Sequence, residues 1–290
     1  MSTQLELRDK IVEVDANTGT DDGAPVLIIL TPEEFEASDV MDEEARNNMR
    51  SVTRAESTYD ETYRHCSMGS FAVPDKNDPS GEPSLFSFYI DRQHLVFVED
   101  GTLVNTVTSA ITQGGTLRSL TTAHALYAFF RTLLVNDLGY LGRLEDQMED
   151  LEEVMIETDI DTTTEKVMDY RRSSARLRSY YQQTSAMATV LVDNENQIMS
   201  HADAQSFQRV VTLSDRLIDR AETIKEYSNQ LHELHQTHID MRQNRIMQVF
   251  TIVTVLFAPL TLITGWFGMN LTVLPGLDWE PLWMLSLIHI

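Results

Sequence analysis

The chain has 290 residues, with 45 acidic against 22 basic side chains and a formal charge of −23 at neutral pH. A surface of that sign repels nucleic acid and concentrates cations, although an acidic composition by itself usually means no more than solubility. The single cysteine, Cys66, excludes an internal disulfide framework and fits a reducing compartment.

Residues 1–23 are polar, lack the apolar core of a signal peptide, and contain a turn cluster, Asn17-Thr18-Gly19-Thr20-Asp21-Asp22-Gly23. Val26–Leu30 reads as a buried strand. Thr31-Pro32-Glu33-Glu34 follows it with an N-cap threonine, a first-position proline and early glutamates, a good helix start. The acidic helix expected from there to about Arg50 carries Asp39, Asp42, Glu43 and Glu44. That face is either merely solvated or attractive to divalent ions. Phe71-Ala72-Val73-Pro74 and the turn-rich Lys76–Pro83 segment read as a connection. Leu85–Ile90 and His94–Val98 read as a hairpin across Asp91-Arg92-Gln93, with a further strand at Leu103–Thr108. Gly114-Gly115 closes the sheet. The economical solution is an α+β domain over residues 1–120, an antiparallel-rich sheet with helices packed on it.

From Thr121 the character changes, and between Arg143 and Ala258 there is neither glycine nor proline. One helix is expected from about Thr122 to Ile156, with a break over 157–164. A second runs from about Glu165 to Leu191, closing a helical hairpin (121–203) before the break that begins at Asp193-Asn194-Glu195-Asn196. A third starts near Ala204 and continues without interruption, its 204–246 part forming a stalk. Phe207, Val210, Leu217, Ala221, Ile224, Leu231, Leu234, His238 and Met241 mark a heptad-like seam along it. His232, His235 and His238 stand three apart and drift round the helix, so they do not face one ion and a structural or solvated role is the better reading. Arg171-Arg172, Arg176 and Arg178 suit i,i+4-type bridges to neighbouring acids. No Gly-x-Ser-x-Gly elbow and no phosphate-cradling loop occur, so neither an enzyme nor an intrinsic ATPase is indicated.

No charged side chain lies between Arg245 and Asp278. The apolar run Met247–Phe267 is long enough to cross a hydrocarbon core of ~30 Å at 1.5 Å per residue. Asn244, Met247, Thr251, Thr254, Ala258, Thr261 and Gly265 recur at steps of three and four and share one polar or small face. The remaining positions, among them Val249, Ile252, Leu256 and Leu260, suit lipid or neighbouring helices. Periodicity leaves two readings of the stripe open: close helix–helix packing through small residues, or the wall of a water-filled pore built from copies of the helix. Arg242 and Arg245 before the span, against Asp278 and Glu280 after it, put the N-terminal part in the cytoplasm by the positive-inside bias.

The end of the span narrows the choice. Pro259-Leu260-Thr261-Leu262, an aromatic at Phe267, then Gly268-Met269-Asn270 and an acidic loop together resemble the CorA family of divalent-cation channels, strongly from about Phe207 to Trp283 and in outline before that. Phe267 stands where many members carry tyrosine. The resemblance implies a homopentameric funnel in the inner membrane, with residues 247–267 as the first, pore-lining transmembrane helix and 268–281 as filter and external loop. It assigns the pore face to positions matching Asn244, Met247, Thr251, Ala258 and Thr261, all within the stripe found by periodicity. Met247 would be an apolar constriction that gates by dewetting, and Thr261 a polar ring. Mg²⁺ keeps its water shell, so a ring of Asn270 amide oxygens would bind the hydrated ion. Gly268 would allow the backbone to turn its carbonyls inward, Met269 would pack the loop, and Asp278 and Glu280 would add negative potential at the mouth.

Such a protein also carries a second transmembrane helix. Residues 282–290 are too short to span, so a truncated second helix is expected. The last six, Leu-Ser-Leu-Ile-His-Ile, also match the translation of a common sequencing-adapter end and are set aside from fold reasoning. The implied function is passive transport of Mg²⁺, with Co²⁺ and Ni²⁺ as further cargoes, and no cofactor. The partners are divalent ions, membrane lipid and copies of the chain. Acidic domains round a symmetry axis would be bridged by regulatory Mg²⁺, with Asp39, Asp42, Glu43 and Glu44 as candidate ligands. A zinc transporter of the related ZntB type, and a single-span coiled-coil sensor dimerising through the small-residue stripe, are the rival readings.

Overall fold

The computed structural model describes residues 3–7, 11–14, 25–38, 40–41, 43–53, 58–76, 78, 81–114, 121–157 and 162–268. The chain divides into two compact units, Met1–Leu231 and His232–Ile290.

The first unit is built on a seven-stranded sheet in the order β2-β1-β3-β7-β6-β5-β4. Its strands are β1 (Thr3–Leu7), β2 (Ile11–Val14), β3 (Val26–Leu30), β4 (Tyr59–Thr62), β5 (Ser67–Val73), β6 (Ser84–Ile90) and β7 (His94–Glu99). Every neighbouring pair is antiparallel except β3 and β7, which run parallel with Ile28 opposite Val96. The sheet is therefore mixed. The β1–β2 hairpin lies in the stretch the sequence presents as polar and without elements; the 17–23 turn cluster lies outside the described residues. Phe71–Val73, read as connection, instead ends β5, and Pro74 follows at the point where the ladder stops.

Both faces of the sheet are covered, which is why β3 is buried at every position. Val26, Ile28 and Leu30 pack with Phe35, Met49 and Val52 of α1 (Pro32–Ala37) and α2 (Glu43–Thr53). Leu27 and Ile29 face the opposite cluster, with Phe71, Phe86, Phe88 and Phe97. The acidic stretch after Thr31 is thus two helices rather than one. The first has the expected start: Thr31 accepts from the Glu34 amide at 3.2 Å while Glu34 accepts from the Thr31 amide at 3.1 Å.

Leu103–Thr108 is not a strand but the start of α3 (Leu103–Gly114). Its β-branched composition suggests a strand, yet Val104, Val107, Thr108 and Ile111 are buried at helical spacing. The helical segment after Thr121 is divided into α4 (Thr122–Leu134) and α5 (Asp137–Glu157). Phe129 and Phe130 of α4 seat on the sheet, with ring centroids 4.6 Å from Phe97 and 5.0 Å from Phe71. Next come α6 (Thr162–Asp193), α7 (His201–Ser206) and α8 (Gln208–Phe267). The third helix is therefore interrupted at Phe207. The α6–α7 connection contains two left-handed residues, Asn194 (φ 46°) and Gln197 (φ 55°). Between them the Asn196 amide reaches the carbonyls of Tyr63 and Cys66 at 2.9 and 3.0 Å, tying the connection to the β4–β5 turn.

Within the first unit the α8 seam is real and regular. Phe207, Ser214, Ala221 and Ser228, and likewise Val210, Leu217, Ile224 and Leu231, repeat every seven residues and are almost wholly buried. Burial ends at Leu231: Met241, expected to extend the seam, is 55% exposed. Charged contacts flank the seam. Arg220 pairs with Glu145 and the Tyr227 hydroxyl donates to Glu152, both on α5, while Glu222 pairs with Arg178 of α6 at 2.6 Å. Arg178 is thus bridged across helices rather than along its own, and Arg176 donates to the Gly81 carbonyl at 2.9 Å. Arg172, 3.8 Å from Asp169, makes a local pair at three-residue spacing.

Candidate permeation face

In the second unit, the part of α8 after Met241 consists of exposed and half-buried side chains over its full circumference. Its most apolar eighteen-residue window has a mean hydropathy of 2.2, and none of that window is buried. The core helix of a water-soluble domain hides such a surface; here Phe250, Ile252, Val255 and Leu262 are each more than 60% exposed. Length and apolarity together suit a bilayer span.

Because the helix is continuous to Phe267, Asn244, Met247, Thr251, Thr254, Ala258, Thr261 and Gly265 do fall on one face. Thr254, Ala258 and Thr261 share a shallow groove with Val253, Phe257 and Leu262. The hydroxyls on this face are already committed as donors. Thr251 donates to the Met247 carbonyl at 2.7 Å, Thr254 to Phe250 at 2.8 Å and Thr261 to Phe257 at 2.8 Å. Each oxygen keeps its lone pairs free to accept. Thr264, absent from the periodic stripe, does the same towards Thr261 at 3.1 Å. Pro259 has no N–H to give to the Val255 carbonyl, so the ladder loosens beside Ala258.

Gly268 closes the helix, its amide donating to the Thr264 carbonyl at 2.9 Å. Its φ lies outside the left-handed region, so a backbone turn does not explain the glycine. A Cβ there would stand 3.0 Å from the Thr264 carbonyl oxygen, a tight contact that the backbone would have to yield to admit. Gly265, by contrast, has nothing within 4 Å of a Cβ position. Met269, Asn270, Asp278 and Glu280 lie outside the described residues, as do Asp39 and Asp42. Glu43 and Glu44 sit in the first turn of α2. Among the described residues no group of three or more His, Cys, Asp or Glu side chains could hold a metal ion, and the His232, His235 and His238 triplet is no exception.

The profile of the family described as CorA-like Mg²⁺ transporter protein matches residues 33–290. The chain belongs to that family. It is a membrane protein with a large soluble N-terminal domain, and the family is one of transporters rather than enzymes. Among CorA relatives, the cobalt/magnesium transport protein of Thermotoga maritima is 24% identical over 166 residues, covering 57% of this chain and 47% of that protein. The divalent cation transporter CmaX of Pseudomonas aeruginosa is 28% identical over 140 residues, 48% of this chain and 42% of CmaX. The matched region thus spans about half the length of these curated relatives. The complete structure of the CorA magnesium transporter from Methanocaldococcus jannaschii superimposes with a TM-score of 0.77 at 18% identity, over 99% of this chain and 93% of that one. At that identity the likeness shows the fold alone.

Proposed function

We propose that α8 lines the pore of a homopentameric channel for hydrated divalent cations, with Mg²⁺ the principal cargo. The observation that carries this reading is the row of threonine oxygens at 251, 254 and 261, whose protons are spent on the helix's own carbonyls. A hydrated Mg²⁺ presents only O–H donors outward, so a face restricted to accepting suits its water shell. A packing face would use the same small residues and can bond hydroxyls between helices, and threonines outside this face, Thr132 and Thr237 among them, make the same back-bond, so flux and oligomeric state separate the two readings. Family membership and the cargoes named for the relatives support the same class of ion.

In this reading Asn244 and Met247 form the cytoplasmic end of the pore, with Met247 as an apolar constriction. Ala258 and Gly265 keep the bore wide, and Gly268, Met269 and Asn270 form the filter, with Asn270 amide oxygens as its acceptors. Asp278 and Glu280 raise the cation concentration at the outer mouth. Arg242 and Arg245 hold the N-terminal domain on the cytoplasmic side of the inner membrane. Asp39, Asp42, Glu43 and Glu44 are the candidate ligands for regulatory Mg²⁺.

The test is flux through the full-length protein in liposomes, with Mg²⁺, Co²⁺ and Zn²⁺ in parallel and the oligomeric state measured in detergent. A pentamer carrying Mg²⁺ is the expected result. Zn²⁺ flux without Mg²⁺ flux would favour the ZntB-type reading, and a stable dimer carrying neither would favour the sensor.

A further inference from the structure

Asn136 and Asp137 suit the start of a helix, but nothing in the local sequence forces α4 to end before them. Residues 121–138 contain no glycine and no proline. Val135, at the junction, keeps right-handed helical angles (φ −59°, ψ −33°) and its amide bonds the Arg131 carbonyl at 3.0 Å. Beyond the junction the helical ladder resumes, with the Tyr140 amide on the Asn136 carbonyl at 3.0 Å. What does intrude is Lys76, from the loop after β5. Its ammonium donates to the Leu133 carbonyl at 3.2 Å and pairs with the Asp137 carboxylate. Counting along a helix, the Leu133 carbonyl is the group that accepts from the Asp137 amide in an unbroken ladder. Lys76 therefore competes for the acceptor and grips the residue of the donor. A side chain inserted into the i→i−4 ladder is a recognised cause of helix kinks.

We propose that Lys76 is a wedge that divides one long helix into α4 and α5, and that the junction closes into continuous helix when the ammonium is withdrawn. The wedge is held by burial: the Asp137 side chain is wholly inaccessible, while that of Lys76 is 37% exposed and can leave towards solvent. An uncompensated carboxylate in that place is costly, so the pair stays together. Tyr181 of α6 is buried against the same group, and burial followed by the Asp137 charge pushes its phenol pKa far up. The consequence reaches the stalk. α5 holds α8 through Glu145–Arg220 and Glu152–Tyr227, so the state of the junction sets how α5 presents those carboxylates to α8. That last step rests on the reading of α8 as the pore helix; the wedge itself does not.

The experiment is amide hydrogen exchange of the full chain in detergent, read by mass spectrometry on peptides covering 131–140. In Lys76→Met/Asp137→Asn, which removes wedge and buried charge together, exchange at 136–138 should slow at least tenfold while the melting temperature stays near that of the parent. In Asp137→Asn alone the ammonium keeps its bond to Leu133, and exchange should remain as in the parent. Unchanged exchange in a folded double variant would overturn the wedge. So would slowed exchange in Asp137→Asn, or a double variant that fails to fold. Because the readout is local protection, the result stands whether or not the protein proves to be a channel.

Discussion

Thr261 gives its hydroxyl proton to the carbonyl of Phe257, 2.8 Å away on the same helix. The bond fixes the rotamer and turns the oxygen lone pairs away from the helix. Thr261→Val keeps the shape and removes the acceptor. Each lost hydrogen bond to the ion's water shell is worth ~1 kcal/mol net, so flux through the pentamer should fall at least about fivefold, whereas Thr261→Ser should conduct nearly normally. Radiotracer or fluorescent-indicator uptake into liposomes separates the two. Equal flux in Thr261→Val and the parent would remove the threonine row from the mechanism.

The proposed filter is tested at Asn270. Asn270→Ala deletes the amide oxygen and leaves the span's apolar length intact, so assembly should survive while transport collapses. Asn270→Asp keeps an oxygen in place and adds a ring of charge. It should hold cations more tightly and pass them more slowly, since conduction needs a site weak enough to leave. Normal Mg²⁺ flux through an Asn270→Ala pentamer would move the selectivity site elsewhere.

Gly69, in the centre of β5, faces Met187 of α6. A Cβ there would lie 2.6 Å from Cε of Met187 and 2.7 Å from Cε1 of Phe88. The methionine end can move but the phenylalanine ring, wholly buried, has little room. Gly69→Ala should therefore cost about 1–3 kcal/mol by overpacking, seen as a lower melting temperature in detergent. Trimming the neighbour in Gly69→Ala/Met187→Ala relieves one clash only, so it should not restore the parent's stability.

The β6–β7 turn carries a protonation-linked contact. Asp91 is pulled two ways: burial opposes its ionisation, but hydrogen bonds from the His94 side chain, the His94 and Gln93 amides and the Tyr89 hydroxyl outweigh that and lower its pKa. The Asp91 carboxylate, 3.1 Å from His94 Nδ1, in turn raises the His94 pKa above its ordinary 6.5 against the opposing effect of burial. The raised histidine contributes stability that is complete below pH 6.5 and is lost as pH climbs through its raised pKa. The lowered aspartate contributes stability present above 3.8 and lost as pH falls through its depressed pKa. Titration of the His94 ring resonance should give a midpoint above 6.5, returning towards it in Asp91→Asn. An unchanged midpoint in that variant would show that the contact does not form in solution.

Much of this chain is legible without a structure because local chemistry decides it. Val26–Leu30 is a strand by its apolar run, Thr31-Pro32-Glu33-Glu34 opens a helix by its capping groups, and the unburied apolar end of α8 follows from length and absence of charge. The polar stripe on that span is fixed by spacing alone, since an unbroken helix converts steps of three and four into one face. What tertiary structure decided are the places where a distant group overrules the neighbours. The Glu99 carboxylate, nearly buried at the end of β7, accepts from the amides of Val104 at 2.9 Å and Asn105 at 3.3 Å, and so starts a helix in a β-branched stretch. Lys76 reaches across from another loop to the α4–α5 junction, and Asn196 spans more than a hundred residues to the β4–β5 turn. The parallel pairing of β3 with β7 also joins segments far apart in the chain, and no hairpin turn announces it. Spacing within one helix survives every such contact, which is why the polar stripe and the α+β class could be drawn from the sequence while the parallel pairing and the helix breaks could not.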